Sequence, residues 1–99
     1  MNQPAVQPAL SFEQFRQTML AQGYDEVVAR HWKQAEEVEI HTHPFEANAI
    51  VVQGEMFLSV QGEAERRLLP GDRFHLMPGT PHAERYTAEG ATYWVARKS

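Results

Sequence analysis

Three histidines carry the chemistry this chain can do. His41 and His43 flank Thr42, and His82 closes the later segment Gly79-Thr80-Pro81-His82. Side chains of a strand repeat every two residues, so His41 and His43 project to one face of an extended segment. His82 arrives on a turn after a second strand-like segment. Three neutral imidazoles converging inside a small β-barrel make a ligand set for a divalent transition metal. His31 and His75 read differently. His75 alternates with Phe74 and Leu76 and faces out if those two fill a core, and His31 belongs in the core or on the surface.

The elements that must position these ligands are short. With 99 residues the chain makes one domain, near the lower end of what buries a self-sufficient core. A formal net charge of −4 argues against a nucleic-acid partner, since the basic residues are scattered and only Arg66-Arg67 and Arg97-Lys98 adjoin. The absence of cysteine excludes disulfides, a thiolate nucleophile and a thiolate metal site. No apolar run approaches the ~20 residues of a membrane span, and the N-terminus lacks the apolar core of a secretory signal. The expectation is a soluble cytoplasmic domain with no nucleic-acid or membrane partner.

Residues 1–10, with two prolines and little periodicity, read as a flexible arm. The domain proper is expected over 11–99. Ser11-x-x-Gln14 has capping-box form and opens a helix over about 11–22, with Phe12, Phe15 and Met19 on one apolar face and Gly23 as its C-cap. From about 24 to 97 the period changes to two. Strands are expected at Val27–Trp32, Val38–His43, Ala49–Val52 ending at Gly54, Met56–Val60, around Phe74–Leu76, and Thr92–Ala96 after a turn at Ala88-Glu89-Gly90. Many short strands between glycine and proline turns mean a sandwich or barrel.

The span from about Ala35 to Tyr86 resembles the cupin superfamily, small jelly-roll barrels of RmlC-like type marked by two motifs. The first runs from a glycine through His-x-His and a glutamate to a closing glycine; here His41, Thr42, His43 and Gly54 fit it. The second runs from a glycine through Pro-x-Gly to a histidine; here Gly71, Gly79, Pro81 and His82 stand in register. The resemblance implies an all-β double-stranded β-helix with one N-terminal helix. It also implies a bound divalent metal (iron, zinc, nickel or manganese) and a homodimer. The chain departs from the pattern at Ala35 for the first glycine, Ala47 for the glutamate, Met77 for a proline and Tyr86 for an asparagine. The loss of the glutamate leaves the fourth ligand open.

Four residues are candidates for the missing polar group. Glu39 shares strand parity with His41 and His43, and Glu84 shares it with His82. Glu46 and Asn48 neighbour Ala47 and face away from the metal unless Pro44 shifts the phase, in which case either supplies a fourth ligand. Tyr86 has the parity of His82, and its hydroxyl could donate to a metal-bound ligand. Phe45, Phe57, Phe74, Tyr93, Trp32 and Trp94 are available as core or pocket wall. The functions that follow are metal-dependent ones on a small organic molecule, either oxygenase-like on three histidines or isomerase- or lyase-like through Lewis-acid chemistry. In the latter, Glu39 or Glu84 would move the proton. The alternative is a stand-alone barrel that binds or senses a small molecule without catalysis, since this fold hosts many chemistries.

Overall fold

A computed structural model describes residues 10–99. Most of the expected N-terminal arm, residues 1–9, lies outside the described residues; Leu10 packs against the helix layer. The helix α1 spans Phe12–Ala21, and Ser11 caps it with the reciprocal Gln14 bonds of a capping box. Its buried residues Phe15 and Met19 meet Tyr24, Ile50 and Ala96 on the outside of the sheet, while Phe12 and Phe15 both contact the Trp94 ring. No helix among the described residues is long and apolar enough to cross a membrane.

Six strands follow: β1 (Glu26–Trp32), β2 (Glu36–His41), β3 (Glu46–Val60), β4 (Arg66–Leu68), β5 (Arg73–Leu76) and β6 (His82–Lys98). All pairings are antiparallel. The long strands β3 and β6 pair along nearly their whole length and bend, so that each serves two sheets. One sheet runs β1–β6–β3–β5 through residues 91–97 of β6. The other runs β2–β6–β3–β4 through residues 82–86. The two sheets enclose a core of Ala49, Val51, Met56, Leu58, Leu68, Tyr86, Ala91 and Val95. This is the double-stranded β-helix expected, with alternating residues turned inward on every strand.

The bends correct two expected strand ends. Gly54 does not terminate a strand and Ala88-Glu89-Gly90 is not a turn; both glycines lie inside continuous strands. The register shifts around Val51/Gln53 and Gly54/Met56 mark the corner where the sheet folds over. Both glycines have positive φ, +79° and +72°. A Cβ on Gly54 would stand 2.2 Å from the Gly90 carbonyl oxygen, and one on Gly90 would stand 2.1 Å from that of Trp32. Only glycine permits so close an approach of three backbones.

The third correction concerns β2, which ends at His41 rather than His43. Val38 pairs with Glu84 and His41 with His82, so three residues of β2 span two of β6. This bulge reverses side-chain parity between Val38 and His41. Val38 packs inward and His41 also turns inward, while Glu39 and Ile40 are exposed.

Candidate metal centre

The two histidine segments meet at one end of the barrel. His41 closes β2, His43 lies on the following loop, and His82 opens β6. The Gly79 amide donates to the His43 carbonyl at 2.8 Å, tying the loop of one motif to the turn of the other. Ring centroids of His41 and His82 are 4.2 Å apart, and those of His41 and His43 are 4.8 Å apart. One ligand atom from each of the three histidines lies within 4.8 Å of the others, and they form the single such group of three among the described residues.

Second-layer bonds set the imidazoles for ligation. His41 Nδ1 lies 2.7 Å from the Glu39 carbonyl oxygen, and His82 Nδ1 lies 2.9 Å from that of Thr80. A carbonyl only accepts, so each Nδ1 carries the proton and each Nε2 keeps a free lone pair. Burial first, then the neighbouring His41 and His82, holds His43 below the ordinary histidine range, which keeps it neutral. Three imidazole nitrogens in this spacing could hold a divalent transition metal.

Glu84 lies beside the group. It lies two residues beyond His82 on the same face of β6, where no bulge intervenes, and its side chain is 10% exposed. Its Oε2 stands 3.6 Å from His41 Nε2 and 3.7 Å from His82 Nε2. The Tyr86 hydroxyl donates to Glu84 Oε1. Tyr86 is buried and stacks on Trp32 at 4.6 Å, and burial above all pushes its hydroxyl far above the tyrosine range. Tyr86 therefore remains a donor at any physiological pH and orients Glu84.

The other candidates lie elsewhere. The Glu39 side chain is exposed, because the bulge breaks the parity that linked it to His41; its backbone carbonyl, not its carboxylate, serves the site. Ala47 is turned into the cavity, while Glu46 and Asn48 face the helix layer on the other side of β3. There the Tyr24 hydroxyl donates to Glu46 Oε2 at 3.0 Å, Asn48 donates to Tyr24, and His75 Nε2 pairs with Glu46 at 2.5 Å. His31 bonds Thr92 at 3.1 Å away from the histidine group. Of the aromatics, Trp32, Phe45, Phe74 and Tyr93 line the cavity; Trp94 packs on α1 and Phe57 lies under Arg85.

The cavity over the histidines measures about 270 Å³. Two of its lining residues, Arg30 and Arg97, were not expected from the sequence. Strand parity was the available signal. Arg30 lies between inward Val28 and Trp32, and Arg97 follows inward Tyr93 and Val95, whereas the last strand was expected to stop at Ala96.

The family model of the cupin domain matches residues 28–96. Among solved structures, the DMSP lyase DddQ from Ruegeria pomeroyi DSS-3 is 29% identical with a TM-score of 0.64, over 74% of this chain and 36% of that one. A structure from a study of the DMSP lyases RdDddP and RnDddQII is 20% identical with a TM-score of 0.69, over 74% and 37%. KdgF from Halomonas sp. is 24% identical with a TM-score of 0.62, over 74% and 68%. The chain thus spans little more than a third of the length of the first two. No curated protein matches it.

Proposed function

The chain belongs to the cupin family, and from that premise we propose that it is a metal-dependent proton-transfer enzyme, of isomerase or lyase type, acting on a small organic molecule. The observation that carries this reading is the Glu84 carboxylate, with one oxygen toward the Nε2 atoms of His41 and His82 and the other held by Tyr86. His41, His43 and His82 would hold a divalent ion, with zinc, nickel or manganese suited to this chemistry. When bound, such an ion supplies Lewis-acid polarisation of a substrate oxygen. Glu84 is the residue placed to take a proton from the adjacent carbon and to return it. Tyr86 fixes the carboxylate so that one oxygen stays available. Phe74, Leu76 and Val95 line the cavity and limit water. The likeness to DddQ, a lyase, supports this class over an oxygenase.

The test is deuterium exchange. Protein loaded with zinc, nickel or manganese is incubated in heavy water with small carbonyl compounds, and exchange at the carbon beside the carbonyl is followed by proton NMR. Exchange that Glu84→Gln abolishes while metal is retained supports the reading. Oxygen uptake by the iron-loaded protein without any exchange overturns it.

We also propose a homodimer. Strands β1, β2, β4 and β5 leave open sheet edges, and Ile40 and Met77 are 75% and 56% exposed.

A further inference from the structure

Two inward-facing arginines in so small a barrel need an explanation. Arg97 stands directly across from Ala47 on the same face of the sheet, where the short methyl leaves the guanidinium room beside His43. Its Nε is buried with no hydrogen-bond partner among the described residues. Its one ion pair is Nη1 with Glu26 at a long 3.5 Å, and the Glu26 side chain is 55% exposed at the sheet edge. Such a rim pair is weak. Arg30 lies opposite Tyr93 on the inner face of β1 and forms no ion pair among the described residues. Trp32 Nε1 is likewise buried and unpartnered; it approaches Tyr93 without hydrogen-bond geometry.

Trp32 Nε1 and Arg97 Nε are the two buried side-chain polar atoms left unpaired among the described residues, and both belong to residues lining the histidine cavity. Both are donors. Buried donors are costly when unmatched, so such groups gather where an acceptor comes to meet them. A guanidinium fork matches the two oxygens of a carboxylate, which a lysine or a neutral donor does not.

We propose that the cavity takes a small organic carboxylate, whose anionic end is held by Arg97 with support from Arg30 while its reacting end lies at the histidines. This inference rests on the proposed metal centre for the second half of that statement only. Glu84 and the arginines line the same cavity with opposite charges, which orients an asymmetric substrate. The volume of about 270 Å³ suits a small molecule of this kind.

The test uses zinc-loaded protein and calorimetric titration with malonate, succinate and glutarate, each against the monoacid of equal length: propionate, butyrate and valerate. A monoacid has one carboxylate for either the zinc or the arginines, whereas a diacid can meet both at once. The expected result is that at least one diacid binds tenfold or more tightly than its monoacid. Arg97→Gln should weaken diacid binding tenfold or more and bring that ratio near one, and Arg97→Lys should restore it only in part. Equal binding of every pair by the native protein overturns the inference, as does a ratio that survives both Arg97→Gln and Arg30→Gln. Failure to retain zinc overturns the metal centre instead. The arginines are then read in metal-free protein by succinate against succinamide, where equal binding overturns the inference too.

Discussion

Tyr86 and Glu84 stand two residues apart on one face of β6, and the buried Tyr86 hydroxyl donates to Glu84 Oε1 while Oε2 turns to the histidines. The pair is a consequence of strand period. Because no bulge interrupts β6 between residues 82 and 86, His82, Glu84 and Tyr86 project together. Removing the hydroxyl leaves Glu84 short of a charge-assisted bond, which is worth ~1.5–3 kcal/mol. Tyr86→Phe is expected to lose stability by about that amount in chemical denaturation. Its metal content should match the native protein, and its exchange rate should fall.

The outer face of β3 carries a separate titrating contact. Hydrogen bonds from His75 and then Tyr24 hold the Glu46 carboxyl below its ordinary value near 4.5. A carboxyl lowered on folding contributes stability that is complete above the unfolded value and is lost as pH falls through the folded one. Native protein is therefore expected to melt above Glu46→Gln at pH 7, with the difference shrinking below about pH 4.5. An equal gap at both pH values would contradict this.

Open edges predict pairing. Light scattering at micromolar protein is expected to return twice the 11.3 kDa chain mass. A monomer mass would remove the dimer from the account.

Much of this arrangement was legible in the residues. Period-two alternation located the strands, the Ser11–Gln14 box located the helix start, and the spacing of His41, His43 and His82 pointed to the three histidines that the fold brings together. Glu39 departs from expectation because parity holds only along an uninterrupted strand. A bulge between Val38 and His41 turned Glu39 outward, whereas the regular β6 kept Glu84 with His82. Gly54 and Gly90 were read as strand ends because glycine marks turns, yet both are bends inside strands where backbones crowd together. Arg30 and Arg97 carry charge, which suggests solvent, although each continues an inward row.

The most direct measurement is metal content of protein purified without an affinity tag, for the native chain and for alanine at each histidine. The account predicts close to one divalent transition ion per native chain, severe loss in His41→Ala, His43→Ala and His82→Ala, and retention in His31→Ala and His75→Ala. Release in acid is expected as well, because an imidazole must be neutral to ligate. A native protein free of metal, or equal loss from all five variants, would contradict it.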